Sequence, residues 1–210
     1  RPQELLSDWI KQIKDELGKF KEDNPDKKVA PFAVNQICHL SNDRLFKDVE
    51  TCVKHEAPII ITSLRPPEDL VKAIHSYGGL VFHDVISTRH AQKAVEQEVD
   101  GLILVCAGAG GHAGNLSPFA LLRETREWYD GTILLSGSIS DGFSISSALA
   151  MGADLAYVGT RFIATKESEA DDDYKKMLIE SAAKDIVYTN YFSGVKGNYL
   201  GPSISRAGMD

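Results

Sequence analysis

Six short apolar runs recur along this 210-residue chain, and each is followed by a stretch with helical periodicity. The runs are Val29–Asn35, Pro58–Thr62, Leu80–Val85, Leu102–Val105, Thr132–Leu135 and Leu155–Val158. None alternates apolar with polar residues. A strand solvated on one face shows that alternation, whereas a strand covered on both faces reads as an unbroken apolar run. The pattern predicts an α/β fold, a parallel sheet with helices on both sides, in units of roughly 20 to 30 residues. An open doubly wound sheet and most of a (β/α)8 barrel both satisfy it. Both place their chemistry at the C-terminal ends of the strands.

The intervening segments supply the helices. Leu5, Leu6, Trp9, Ile10, Ile13 and Leu17 recur at three- and four-residue steps, the spacing of one helix face. Leu45, Phe46, Val49, Cys52 and Val53 make another such face, as do Leu70, Val71 and Ile74. Pro66 and Pro67 open the latter helix, because proline suits a first turn. Thr88–Gln97 is helical. Ser117 followed by Pro118 reads as an N-cap and first-turn proline for a helix through Trp128. Further helices are expected over Ser144–Met151 and about Asp173–Ala183. Lys21–Lys28, with Pro25, reads as a loop. Ile186–Thr189 reads as one more strand, and beyond Asn190 Gly, Ser, Asn and Pro dominate.

Composition removes several functions. The 23 Lys and Arg are outnumbered by 30 Asp and Glu, for a net charge of −7, which argues against a basic face for nucleic acid. No apolar run reaches the ~18 residues of a membrane span. The opening RPQELLSDWIKQIKDEL is charged and lacks the apolar core of a signal peptide. Cys38, Cys52 and Cys106 are widely spaced and form no CxxC pair, so neither a disulfide framework nor a zinc site is expected. A reducing, cytoplasmic setting and no metal follow as expectations.

Polar and glycine residues gather at the expected strand ends. The first strand runs into Asn35-Gln36 and the third into His83-Asp84. The fourth runs into CAGAGGHAGN, Cys106–Asn115. Gly108, Gly110, Gly111 and Gly114 let backbone N–H groups approach a flat or anionic ligand closely. His112 is the one titratable group among them. The match to GxGxxG is partial, because Ala113 stands where glycine is usual, and no acidic residue closes the next strand as a dinucleotide site requires. The last two strands end in SGSISDG and VGTRF. Ser136, Gly137, Ser138, Gly159 and Thr160 supply hydroxyls and side-chain-free backbone at consecutive strand ends, where barrels hold a phosphate. His83 and Asp84 could orient each other or simply pack. His55, His75 and His90 read as solvated helix residues, and Glu167–Asp173 as a solvated helix start.

Four segments, GAGGHAG (108–114), SGSISDG (136–142), ALAMGADLAYVGTRF (148–162) and GVKGNYLGPS (194–203), together resemble the nitronate monooxygenase family, formerly 2-nitropropane dioxygenase. The resemblance runs from about Val29 to the end. It implies an FMN-binding (β/α)8 TIM barrel. His112 matches the catalytic histidine of the family's GGH motif. Gly110 and Gly111 match flavin contacts in that loop. Ser136, Gly137 and Ser138 match a glycine turn, and Tyr157, Val158, Gly159 and Thr160 match the family's QMGT-like segment at the FMN phosphate. Asn35 matches an asparagine at a strand end near the flavin. The chain departs from the family where Val105 replaces a frequent Gln, Gly108 a frequent Glu, Ser138 a glycine and Tyr157 a glutamine. The family's two opening strands, with a Pro–Met flavin loop and a GGLG turn, are not in this sequence. Residues 1–190 are therefore expected to form strands three to eight of the barrel, and residues 191–210 to begin a C-terminal lobe or lid.

The implied activity is FMN-dependent oxidation of a nitronate or nitroalkane by O2, with His112 as the base that removes the proton next to a nitro group. Two alternatives stay open. One is an NAD(P)H-dependent flavin reductase acting on quinones or enoyl thioesters on the same barrel. The other is a non-redox protein that binds a phosphate-bearing ligand. The expected partners are the small substrate and O2, without nucleic acid or membrane, and a homodimer is left open.

Overall fold

The computed structural model describes residues 4–65 and 68–209. Two compact units divide the chain, Arg1–Val85 with Arg89–Leu102, and Ile86–Thr88 with Ile103–Asp210.

In the first unit, α1 (Glu4–Asp23) is followed by β1 (Ala33–Cys38), α2 (Leu45–Lys54), β2 (Ile59–Leu64), α3 (Glu68–His75), β3 (Leu80–Val85), α4 (Thr88–Val95) and the start of β4 (Gly101–Val105). β1 pairs with β2, and β2 with β3, all parallel. Ile60, Val81 and Val85 of the strands and Ile74 and Ala91 of the helices are buried at 1% exposure or less. β3 is covered on both faces, whereas β1 buries only the face that carries Gln36 and Cys38. Leu70, Val71 and Ile74 all point inward from α3. The Pro66-Pro67 opening expected for that helix lies outside the described residues.

The first strand sits later than its apolar run. Val29–Asn35 is the expected strand, but pairing begins at Ala33 opposite Ile59 and runs to Cys38 opposite Leu64. Pro31 has no N–H for a ladder bond, which sets the start beyond it. Asn35 is thus mid-strand, not at the strand end. The loop expected from Lys21 also begins later, since α1 continues to Asp23.

The second unit carries β4 onward through β5 (Gly111–His112), α5 (Pro118–Arg126), β6 (Thr132–Ser136), α6 (Gly142–Ala150), β7 (Leu155–Ala156), α7 (Thr160–Ile163), α8 (Asp172–Glu180), β8 (Ile186–Thr189), β9 (Gly197–Leu200) and α9 (Gly201–Arg206). Ser117 caps α5, accepting from the Phe119 amide at 3.3 Å. Asp141 and Ser144 close a capping box on α6, which therefore starts two residues before the expected Ser144. Ile103, Leu104, Leu121, Leu122 and Ile133 are fully buried.

Strand order follows chain order in both units, β1-β2-β3-β4 in the first and β4-β6-β7 in the second. A doubly wound sheet reverses its order at a switch point, whereas a barrel does not. The order therefore favours the (β/α)8 barrel class over the open sheet. Ile186–Thr189 is a strand, as expected, but it belongs to a separate antiparallel sheet of order β5-β9-β8.

The two units share a local device. Asp100, just before β4, accepts from the Val81 amide at 2.7 Å and pairs with His75 of α3 at 2.9 Å. Asp154, just before β7, accepts from the Ile133 amide at 2.8 Å and pairs with Arg126 of α5 at 2.5 Å. Each aspartate satisfies an N–H at the start of the neighbouring strand and ties that strand to the helix before it. His75 is thus a hydrogen-bond partner of Asp100, not simply a solvated residue. His55 likewise stands just beyond α2 and bonds Ser7 at 2.7 Å.

Candidate functional site

The glycine loop after β4 is held from two sides within the second unit. On one side are the ends of β6 and β7. The Cys106 amide donates to Ser136 at 3.1 Å, and the Ser138 amide donates to Gly108 at 3.1 Å. A Cβ on Gly108 would collide with the Ser138 hydroxyl, and one on Gly110 with the Thr160 hydroxyl. Both collisions are with oxygens close to their backbone anchors. Two hydroxyls from consecutive strand ends thus lie against two glycines of one loop, which is why those positions carry no side chain.

The turn after β6 is tightly drawn. Gly137 has φ +132°, and a Cβ there would sit 2.8 Å from the Ala107 carbonyl. Ser138 follows with φ +55°, a left-handed conformation unusual for a residue with a side chain. It stands where the family pattern has glycine, and its hydroxyl occupies the space into which a side chain at 108 would grow. The two departures from that pattern, Gly108 and Ser138, therefore face each other. Because the Ser138 amide is engaged by Gly108, the hydroxyl is the group this residue can offer a ligand. The short helix α7 begins at Thr160, capped by no side chain, and a Cβ on Gly159 in front of it would meet nothing within 4 Å. Tyr157 is tied to Leu135 through its amide at 2.8 Å, and Val158 joins it to Gly159.

On the other side lies the antiparallel hairpin β8–β9. β9 pairs with Gly111 and His112, which form the two-residue strand β5. The Asn198 amide side chain donates to the Ala109 carbonyl at 2.7 Å, and the Tyr188 hydroxyl to the Ala113 carbonyl at 3.0 Å. His112 Nε2 lies 2.8 Å from the Ser193 hydroxyl, which is 3.3 Å from the Tyr199 hydroxyl. The His112 side chain remains exposed. Of the sequence-derived candidates, Gly110, Gly111, His112, Ser136, Gly137, Ser138, Gly159 and Thr160 are thus gathered around one loop. Asn35, in the first unit, lines a cleft of about 300 Å3 with Leu5, Leu6, Trp9, Arg44 and Asp48. Ser193 lies outside the segments quoted from the sequence, whereas Tyr188 was read only as part of the strand Ile186–Thr189 and Asn198 and Tyr199 only as part of GVKGNYLGPS.

His83 and Asp84 do not orient each other. As consecutive strand residues their side chains leave opposite faces. His83 is 3% exposed and its Nδ1 lies 2.7 Å from the Thr62 hydroxyl. Burial, with a smaller push from His90, lowers its pKa to about 4. Burial raises Asp84 to about 7, and its Oδ1 is buried without a hydrogen-bond partner.

The chain belongs to the nitronate monooxygenase family, whose pattern it matches over residues 2–200. A nitronate monooxygenase of Paraburkholderia phytofirmans is 28% identical over 154 residues, covering 69% of this chain and 42% of that protein. A (3aS,4S,5R,7aS)-5-hydroxy-7a-methyl-1-oxo-octahydro-1H-indene-4-carboxyl-CoA dehydrogenase of Rhodococcus jostii is 24% identical over 152 residues, covering 72% of this chain and 43% of that protein. The solved structure of FabK from Thermotoga maritima superposes with a TM-score of 0.77 at 26% identity, over 92% of this chain and 61% of that one. The chain spans less than half the length of those two curated relatives. No helix among the described residues is long and apolar enough to cross a membrane.

Proposed function

We propose that this chain is part of a flavin enzyme, an FMN-dependent oxidoreductase that oxidises nitronates or nitroalkanes with O2. The observation that carries the reading is the convergence of the Ser138 and Thr160 hydroxyls on the glycine loop that bears His112. The fit to FMN rests on this geometry. Ser136–Ser138 and Gly159–Thr160 would hold the phosphate with hydroxyls and the uncapped start of α7. Gly110 and Gly111 would lie against the flavin, and Tyr157 and Val158 would support the phosphate turn. No metal enters the proposal. Residues 1–190 are proposed as the FMN-binding part of the barrel, and 191–210 as the start of a C-terminal segment.

Bound FMN would supply the redox chemistry and the reaction with O2. His112 would take the proton from the carbon beside the nitro group, a step that a preformed nitronate does not need. The hairpin would hold the His112 ring in place through Ser193. A second reading, a flavin reductase or dehydrogenase acting on a thioester, is supported by the CoA dehydrogenase relative at 24% identity. Measuring FMN in the purified protein tests the placement. Gly159→Asp would set a carboxylate against the phosphate and should abolish most FMN binding. Undiminished flavin content in that variant would overturn the site.

A further inference from the structure

Ser193 Oγ has four polar neighbours. They are His112 Nε2 at 2.8 Å, the Val195 carbonyl at 3.1 Å, the Tyr199 hydroxyl at 3.3 Å and the Val195 amide at 3.4 Å. A serine hydroxyl has one hydrogen to give and two lone pairs to receive with. The carbonyl can only accept, and the Val195 amide can only donate. Giving the single hydrogen to Val195 fills the carbonyl and leaves both lone pairs for donors. His112 Nε2 can take one of these only if it carries the proton. The reverse assignment, with Ser193 donating to the ring, strips the Val195 carbonyl of this partner. We infer that Ser193 fixes the neutral tautomer of His112 with its proton on Nε2, so that Nδ1 carries the lone pair.

The surroundings make this a built arrangement. Ser193 and Val195 belong to the turn between β8 and β9, and β9 is paired with His112 itself. Phe192 packs edge-on against Tyr199 at 4.9 Å and against Tyr191 at 5.4 Å, which fixes the turn that presents Ser193. The histidine backbone and its ring partner are thus carried by the same hairpin. The inference deepens the reading of His112 as a base, on which it rests for its consequence. Ser193 is a positioning residue, and the base would act through Nδ1.

The test uses the full chain with 15N-labelled histidine rings, at a pH about two units above the ordinary imidazole value of ~6.5. The difference from His112→Gln identifies the His112 signals. The wild-type ring should show a protonated Nε2 and an unprotonated Nδ1 throughout the population. Ser193→Ala should release the ring to the mixture of neutral tautomers that a free imidazole shows, and Ser193→Thr should restore the single form. Tyr199→Phe should leave the single form in place, because the Val195 amide still serves the second lone pair. Activity on a neutral nitroalkane should fall about fivefold or more in Ser193→Ala, the worth of one lost hydrogen bond. A wild-type ring protonated on Nδ1, or a single Nε2-protonated form that survives Ser193→Ala, would overturn the inference. The NMR result needs no substrate. If His112 proves dispensable for nitroalkane turnover while the tautomer is as stated, the base reading fails and the tautomer assignment stands.

Discussion

Ser138 carries two opposed demands. A non-glycine residue at φ +55° costs of the order of 1 kcal/mol in backbone strain, and its hydroxyl is proposed to meet the FMN phosphate. Ser138→Gly should therefore raise the denaturation midpoint of the apoprotein while weakening FMN binding. A variant that is neither more stable nor weaker in FMN affinity would refute that account. His83 and Asp84 are opposed in another sense. Asp84 has a folded value of about 7 against an ordinary 3.8, so between these the native state holds more protons than the unfolded chain. Its contribution to stability falls as pH rises through that window. His83 has a folded value of about 4 against an ordinary 6.5, so there the unfolded chain holds more protons and stability rises with pH. Between about pH 4.5 and 6.5 the two slopes oppose each other. Urea denaturation across that range should show stability rising with pH in Asp84→Asn and falling with pH in His83→Gln. Parallel profiles for the two variants and wild type would show that neither shift exists. The sequence made this pair visible as a strand end, and alternation within Leu80–Val85 already sets the two side chains on opposite faces. What it did not show is that His83 meets Thr62, which follows from the register of β3 against β2.

At the level of elements, the hairpin β8–β9 is what turns a glycine-rich loop into a defined surface. Four glycines leave the chain from 108 to 114 with high conformational entropy, and the hairpin's side chains hold its carbonyls. Asn198→Ala would leave the carbonyl of buried Ala109 without its 2.7 Å partner. The expected loss is about 1 to 3 kcal/mol in urea denaturation, with faster hydrogen exchange across residues 108–112. Unchanged stability and exchange would show that the loop is ordered by other means. This element was only half legible in the sequence. IVYT reads as a strand by composition, yet nothing in a strand pattern names its partner. Pairing of residues 111–112 with 197–198 spans a long sequence separation and depends on tertiary contact. β3, β4 and β6 were legible because their apolar runs report burial on both faces, whereas β1 buries one face only. The first of the six parallel strands was displaced, where Pro31 interrupts the run, and the last is shortened to Leu155–Ala156. Helix starts at Ser117 and Asp141 follow local capping chemistry, although the Asp141 cap was missed because Ser144 looked like the first helical residue.

For the molecule as a whole, fold and chemistry come from different kinds of information. Chain-ordered parallel strands select the barrel class over the doubly wound sheet. The glycine turns and His112 suggest what such a barrel would do, and the residues that surround them in space make the suggestion specific. The candidate residues after β4, β6 and β7 were legible because strand ends are where an α/β fold collects chemistry. Their contacts with Ser193 and Asn198 were not, because those partners come from a different sheet. The central claim is that His112 serves as the base of a flavin enzyme acting on nitro compounds. It is tested most directly by comparing wild type and His112→Asn, each with its FMN content measured, on a neutral nitroalkane and on its nitronate under air. General base catalysis is worth ~10²–10⁴-fold. The account predicts a loss of that order on the nitroalkane, a far smaller loss on the nitronate, and unchanged FMN content. Equal losses on both substrates, or wild-type flavin that NADH reduces quickly while neither nitro compound reacts, would contradict it.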